Sequence, residues 1–233
     1  AIFKVKNLIG LVGSLEELEW FDKTLNAKYT ARRESLLGKD NGEKQEMFFL
    51  NRLVRYFPDG TAGKERLEIE ADARHVDLLI RDFGFDAKTK GCDVPEDKPT
   101  SLDLIETERQ PGLGGQMPSQ FRSMVMRLAY LSTDRPDLCH AVRALASAMK
   151  SPKMNDWLKL KKVVRYLLKF PYMKRTFQKQ TLENAAVISY SDSDWAGDLK
   201  TRRSTSGSVV KWGSHTLLVK GSSQKVVALS SSE

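Results

Sequence analysis

The stretch S-Y-S-D-S-D-W-A-G-D-L-K-T-R-R-S-T-S-G, from Ser189 to Gly207, carries the most information about how this chain folds. An apolar run over 185–188 leads into it, which predicts a strand that ends with Asp192 and Asp194. Side chains two residues apart on a strand point to the same face of its sheet. A bare pair of this kind is typical of surface turns, but carboxylates at a strand end also suit a hard divalent cation.

The composition is that of an ordinary globular protein with a basic bias. The 233 residues, 40% apolar and 29% charged, suffice for one large domain or two small ones. The formal net charge of +8 favours a polyanionic partner such as nucleic acid, although charge alone does not establish one. The cysteines, Cys92 and Cys139, exclude a disulfide framework and favour a reduced, intracellular setting. No apolar stretch approaches the ~20 residues of a membrane span, and no signal-peptide pattern is present, so no membrane partner is expected.

The N-terminal half predicts helices around a hairpin. Ser14 and Glu17 form a capping box that opens an amphipathic helix through Leu25. Next in order are a strand over 47–56, a turn at 58–60, a strand over 67–71, and a helix capped by Asp72 and ended by Gly84. A polar segment rich in Gly and Pro, 86–119, is predicted to be a connector.

The C-terminal half predicts helices and then strands. The helices cover about 120–131, a segment from 134 through Met149, and 155–170. A basic link follows, then strands over 185–191, 206–212 and 215–220 and a last helix from about 222. The third helix is expected to expose Lys159, Lys162, Arg165 and Lys169, either as a solvated face or as a track for a phosphate backbone.

These motifs, in this order, resemble the reverse transcriptase–ribonuclease H part of the polyprotein of copia-type LTR retrotransposons. The most specific matches are Y-S-D-S-D-W-A-G at 190–197, R-R-S-T-S-G at 202–207 and V-A-L-S-S-S-E at 227–233. The helical middle is similar through F-R-S-M-V-M-R-L-A-Y-L-S-T-D-R-P-D-L at 121–138 and V-V-R-Y-L-L-K at 163–169. The resemblance is strong from about residue 119 onward.

The resemblance implies a mixed α+β fold in three parts. Residues 1–110 would be the C-terminal part of a reverse transcriptase, with palm and thumb-like elements. Residues 111–180 would form a helical connection. Residues 181–233 would be the N-terminal part of a ribonuclease H-like domain, with an incomplete sheet.

The resemblance also implies a Mg²⁺ site that this chain supplies only in part. Asp192 matches the metal ligand on the first strand of the ribonuclease H fold, and Asp194 is a weaker candidate. Glu233 aligns with the first of two acids on the next helix, so it is a weak catalytic candidate. Lys6 and Asn7 align with the two metal-binding aspartates of the palm. Either this element has lost its aspartates in this chain, or the alignment is shifted here. We therefore expect a fragment that is inactive by itself.

Two other functions stay open at this stage. One is a non-catalytic remnant that binds an RNA–DNA hybrid or another nucleic acid through basic residues, namely Arg202, Arg203, Lys159, Lys162 and Arg165. The other is an enzyme whose further carboxylates lie in a longer chain, the rest of the polyprotein being its partner. His75, His140 and His215 are not expected to have convergent partners, and Trp195 and Trp212 are expected in the core, base stacking being the alternative.

Overall fold

The computed structural model of the chain has a mixed α+β fold with two sheets, which confirms the predicted class. It describes residues 13–32, 35–38, 44–58, 65–97, 106–107, 109–180, 186–198 and 201–230. The helices are α1 Leu15–Asn26, α2 Arg74–Asp82, α3 Met117–Leu131, α4 Cys139–Ser147 and α5 Met154–Lys169, with a 3-10 helix at Pro136–Leu138 before α4. The strands are β1 Glu46–Phe49, β2 Arg52–Phe57, β3 Arg66–Glu70, β4 Lys174–Gln178, β5 Val187–Ser193, β6 Thr205–Trp212 and β7 His215–Ser223.

The chain divides into two compact units. The first consists of residues 1–69 and 176–179, and the second of residues 70–175 and 180–233. None of the described residues of the first unit is fully buried, so its elements are held by hydrogen bonds and partial packing. The predicted capping box is present there: the Glu17 N–H donates to Ser14 Oγ over 3.3 Å, and the Ser14 N–H donates to Glu17 Oε2 over 2.8 Å.

The single strand predicted over 47–56 is wrong, because the chain folds back inside it. Leu50 and Asn51 both have positive φ, 49° and 64°, and they form a two-residue turn between β1 and β2. Positive φ at both central residues matches the right-handed twist of the flanking strands, and Asn tolerates it well. Leucine rarely adopts this conformation, so the apolar sequence around Leu50 gives no signal that a turn lies there.

The basic segment expected to be a link is a strand. Residues Lys174–Gln178 form β4, which completes the sheet order β1-β2-β3-β4. Its exposure alternates along the strand, as expected for an edge strand with one side facing solvent. The Lys179 N–H donates to the carbonyl of Glu65 over 3.0 Å, so the pairing joins segments more than 100 residues apart.

The hydrophobic core lies in the second unit, among α2, α3, α4 and α5. The predicted apolar faces supply it, since residues at helical spacing share one side of a helix. Its buried members are Val76, Leu79, Phe121, Met124, Val125, Leu128, Leu131, Leu138, Ala141, Val142, Leu145, Leu160, Val163, Val164 and Leu167. Helix α2 begins at Arg74, whose N–H donates to Asp72 over 3.1 Å, and it ends before Gly84, whose φ is +65°.

One arginine is buried within this helical core. Arg135 is 2% exposed, and its guanidinium forms two-pronged hydrogen bonds with Asp137, the shortest 2.8 Å long. The remaining terminal nitrogen donates to the carbonyls of Phe170 at 2.9 Å and Pro171 at 3.5 Å, just after α5. Burial raises the pKa of the Asp137 carboxyl, but hydrogen bonds and charge from Arg135, with a bond from the Tyr166 hydroxyl, outweigh burial and lower that pKa.

The second sheet is an antiparallel meander in the order β5-β6-β7. Helix α4 packs near β7, and the Arg143 guanidinium donates to Ser223 Oγ over 2.8 Å. The helix predicted from about residue 222 is wrong for the described residues, since β7 continues to Ser223 and 224–230 are non-helical. Adjacent β-branched Val226 and Val227 among serines give this short segment little helix propensity.

Within the described part of the chain, no helix is long and apolar enough to cross a membrane.

We predict that Arg135→Met lowers the free energy of unfolding by roughly 3 kcal/mol, because it removes the charge partner of Asp137 and the donor to two carbonyls. Urea unfolding measures the loss, and Arg81→Met on an exposed arginine is the control, expected within ~0.5 kcal/mol of wild type.

The lowered pKa of Asp137 also makes stability depend on pH. Its contribution is fully present above the unfolded-state pKa of ~3.9, and it is lost as the pH falls through the folded-state pKa. Equal stability of Arg135→Met and wild type at neutral pH would contradict this role.

Candidate functional site

Asp192 lies near the end of β5, on an exposed face of the second sheet. It pairs in register with Gly207 on β6, and Gly207 pairs with Gly221 on β7. Directly opposed residues of an antiparallel pair point to the same face, so the carboxylate has no side chain beside it on β6, nor on β7 one strand further. A Cβ at Gly221 would meet no atom within 4 Å, and one at Gly207 would first meet the Asp192 carbonyl at 3.8 Å. This strip of sheet is therefore open next to the carboxylate.

Asp194 is turned into the loop that joins β5 to β6. Its carboxylate accepts a short hydrogen bond from the Thr205 N–H, and its own N–H donates to the Thr205 carbonyl over 3.1 Å. Gly197 packs directly on this carboxylate, where an added Cβ would overlap it. The carboxylate thus closes the loop, as an Asx-type contact commonly does.

Small residues complete the loop. Ala196 is buried with φ +52°, and its N–H donates to Ser204 Oγ over 3.1 Å. Ser204 is 2% exposed, and its carbonyl accepts the Gln224 N–H at 2.8 Å. The Ala-Gly pair of W-A-G and the serine of R-R-S are therefore explained by packing and by backbone hydrogen bonds.

Asp198 and Arg203 close the tip of the hairpin. The Asp198 N–H donates to the Arg203 carbonyl over 3.1 Å, and the Arg202 N–H donates to the Asp198 carbonyl over 2.7 Å. The Asp198 carboxylate accepts from the Thr201 N–H at 3.2 Å and from its hydroxyl at 2.7 Å. Arg202 has φ +56°, and both arginines are exposed at the tip.

The hairpin brings together some of the predicted site residues but not all of them. Asp192, Asp194, Arg202 and Arg203 share it, whereas Lys159, Lys162 and Arg165 lie on α5. Glu233, Lys6 and Asn7 lie outside the described residues. Among the residues that the structure describes, no group of three His, Cys, Asp or Glu converges as a metal site would require.

The basic face of α5 is partly covered: Lys169 is exposed as predicted, but the other three residues expected to be exposed are not fully so. Lys162 forms a short ion pair with Asp97, and Lys169 forms one with Asp93. The Arg165 guanidinium donates to the Lys90 carbonyl over 2.6 Å. Lys159, Lys162 and Arg165 are each half-buried, so residues of the predicted connector replace solvent along most of this face.

His140 was expected to have no convergent partner, and that expectation is wrong. Its Nδ1 lies 2.6 Å from Glu96 Oε2, and its Nε2 lies 3.3 Å from an Arg143 nitrogen. The bond to Glu96 raises the pKa of His140, and the charge of Asp194 acts in the same direction. The spacing H-x-x-R on one helix face hints at the contact with Arg143, but only the fold brings Glu96 to it.

Trp195 and Trp212 were predicted to lie in the core, and that prediction is wrong. Trp195 is 54% exposed and Trp212 is 41% exposed. Trp195 Nε1 donates to the Ala228 carbonyl over 3.3 Å, which connects the hairpin to the segment after β7.

Comparison with known proteins places the chain among retrotransposon proteins. It is 38% identical over 116 residues to the retrovirus-related Pol polyprotein from transposon RE2 of Arabidopsis thaliana, which covers 50% of this chain and 8% of the polyprotein. It is 35% identical over 116 residues to the corresponding RE1 polyprotein, again covering 50% and 8%. Over 187 residues it is 37% identical to an uncharacterized mitochondrial protein of the same plant, AtMg00810, covering 80% of this chain and 71% of that protein.

The chain belongs to the copia-type retrotransposon polyprotein family. It spans about 8% of the length of the RE1 and RE2 polyproteins that it matches. No family model and no solved structure matches it. The copia-type motif over 190–207 thus coincides with a hairpin in which Asp194, Gly197, Asp198 and Ser204 each have a structural contact.

We predict that Gly197→Ala lowers the free energy of unfolding by about 1–3 kcal/mol, because the added methyl displaces the Asp194 carboxylate from the Thr205 N–H. Gly221→Ala is the matched control, since its methyl meets no atom within 4 Å, and it should be neutral or slightly stabilising. Urea unfolding of the two variants compares them. Loss of stability in Gly221→Ala alone would show that this account of the loop is wrong.

Proposed function

We propose that the chain is the part of a copia-type polyprotein in which a reverse transcriptase region ends and a ribonuclease H-like region begins, and that it is catalytically inactive on its own. The observation that carries this proposal is Asp192 on the first strand of the β5-β6-β7 meander, inside the family motif. The parent activity would be RNA-dependent DNA synthesis together with Mg²⁺-dependent hydrolysis of the RNA strand in an RNA–DNA hybrid.

Inactivity is supported by how the carboxylates of the hairpin are used. In-line hydrolysis of a phosphodiester needs two metal ions ~4 Å apart, held by bridging and flanking carboxylates. Asp194 and Asp198 accept hydrogen bonds from N–H and hydroxyl groups of the same loop, so a cation there must compete with those bonds. Asp192 likewise accepts the Ser193 N–H over 2.9 Å with one oxygen, so it can offer its other oxygen to one Mg²⁺ ion, which would supply Lewis-acid chemistry when bound.

The described residues by themselves therefore do not fit a two-ion site. Further carboxylates would have to come from the rest of the polyprotein, which we propose as the partner of this chain. What the chain itself contributes is a fixed position for Asp192 and an open strip of sheet at Gly207 and Gly221.

A second candidate function is binding of nucleic acid without cleavage. It is favoured by the hairpin tip, where backbone hydrogen bonds at Asp198 hold exposed Arg202 and Arg203 just beyond the strand that carries Asp192. The net charge of +8 would add long-range attraction to a phosphate backbone.

We predict that the purified chain with Mg²⁺ does not cleave the RNA strand of a labelled hybrid above the level of Asp192→Asn. The reason is that the hairpin carboxylates accept hydrogen bonds from their own loop, and no three acidic groups of the described residues converge to hold two ions against water. Gel analysis of the labelled RNA measures cleavage, and circular dichroism checks that the variant is folded. Cleavage that requires Mg²⁺ and disappears in Asp192→Asn would contradict inactivity.

For the binding function, we predict that Arg202→Gln/Arg203→Gln weakens hybrid binding and makes its salt dependence shallower. Each lost phosphate contact reduces the slope of log affinity against log salt by about 0.9. Lys23→Gln on α1 combined with Lys28→Gln just after it removes the same charge from exposed positions and serves as the control. If both double variants change the slope equally, the hairpin tip has no specific role.

A further inference from the structure

An acidic segment lies along the basic face of α5. Residues 90–97, K-G-C-D-V-P-E-D, are here called the acidic strap, since they include Asp93, Glu96 and Asp97 and only one lysine. Asp97 pairs with Lys162, and Asp93 pairs with Lys169. The Lys90 carbonyl accepts from the Arg165 guanidinium at 2.6 Å. The strap thus places anionic and carbonyl oxygens at the positions that a phosphate backbone would occupy on this helix.

The path of the strap is fixed by close backbone contact with α5. A Cβ at Gly91 would lie 2.7 Å from the Lys169 Cβ and 3.3 Å from the Arg165 carbonyl, so glycine permits this approach. The Cys92 N–H donates to the Arg165 carbonyl over 3.3 Å. The Cys92 thiol lies 3.3 Å from the Lys162 carbonyl, against the helix.

The ion pairs of the strap are weak by the standard of buried pairs. The side chains of Asp93 and Asp97 are 77% and 76% exposed, so water and salt screen both pairs. Lys162 and Lys169 are seven residues apart, which places them about 10 Å apart along one side of the helix. A nucleic acid strand offers several phosphates along such a distance, so it can replace two exposed carboxylates without disturbing the core.

We propose that the basic face of α5 is a second contact surface for a nucleic acid backbone, and that the acidic strap masks it until a polyanion displaces the strap. This inference rests on the proposed function, in which an RNA–DNA hybrid is the partner. It goes beyond that function in two ways. The surface is distinct from the Arg202–Arg203 tip, and the acidic strap competes with nucleic acid for it. Binding at this surface exchanges two ion pairs within the chain for two lysine–phosphate contacts.

The test compares two variants that remove the same two negative charges. Asp93→Asn/Asp97→Asn releases the strap carboxylates, whereas Glu16→Gln/Glu19→Gln neutralises exposed acids on α1. Binding of a fluorescent RNA–DNA hybrid is followed by anisotropy over a KCl series, with circular dichroism as the check of folding. The strap variant should bind several-fold more tightly than the α1 control at low salt. Its salt slope should be steeper by about 1.8, since each freed lysine adds about 0.9.

Reactivity of Cys92 gives an independent readout of strap opening. The thiol is partly buried against α5, and burial raises its pKa, so alkylation by iodoacetamide should be slow in the free protein. Adding the hybrid should speed alkylation of the Cys92 peptide, measured by mass spectrometry, and the strap variant should be faster without the hybrid. Cys139, half-buried as the first residue of α4, is the internal reference in the same digest.

The outcomes separate the two proposals. If wild type binds the hybrid with salt-dependent affinity but the strap variant behaves like the α1 control, the masking inference is wrong and the binding function stands. If neither wild type nor the strap variant binds, both are wrong. If the strap variant binds and wild type does not, masking is supported in its strongest form.

Discussion

The buried guanidinium of Arg135 is the interaction on which the second unit depends most. Arg135 lies between α3 and α4, and its side chain bonds the backbone just after α5. One side chain therefore connects the α3–α4 junction to the end of α5. Burying a charge is costly unless it is paired and fully hydrogen-bonded, and here Asp137 and two carbonyls accept from the guanidinium. The Tyr166 hydroxyl in turn donates to Asp137. The Arg135 side chain thereby holds the backbone just after α5.

In the hairpin, too, polar side chains form hydrogen bonds that hold the backbone, whether or not they take part in any reaction. Asp194 is a candidate metal ligand in the sequence, yet its carboxylate accepts an N–H of its own loop, as does that of Asp198. Such bonds hold the turn between β5 and β6, and with it the position of Asp192. A motif shared with a polyprotein family can therefore be maintained by folding requirements alone, apart from any catalysis by the chain.

Sequence reasoning predicts the elements whose determinants are local. The capping box at Ser14, the apolar faces of α2 to α5 and the glycine stop at Gly84 each depend on residues within a few positions. It fails where a contact spans the chain or a turn lacks its usual residues. Strand β4 pairs with a segment about 100 residues earlier, and Leu50 adopts a conformation that leucine seldom does. For the candidate site, sequence motifs indicate the family and the candidate residue Asp192. They do not indicate the acidic strap or the long-range contact of His140, because these join residues that are distant in sequence.

The carboxylates of Asp194 and Asp198 hold the loop, and we expect a cation to bind only weakly, at Asp192, whose Oδ1 accepts the Ser193 N–H over 2.9 Å. A Mg²⁺ titration followed by amide NMR shifts of Asp192, Thr201 and Thr205 tests it directly. The account predicts weak shifts near Asp192, with the Thr201 and Thr205 amides unmoved because they stay bonded to Asp198 and Asp194. Saturable shifts of all three amides at millimolar Mg²⁺ would contradict it, since they would mean that the loop gives up its carboxylates to the metal.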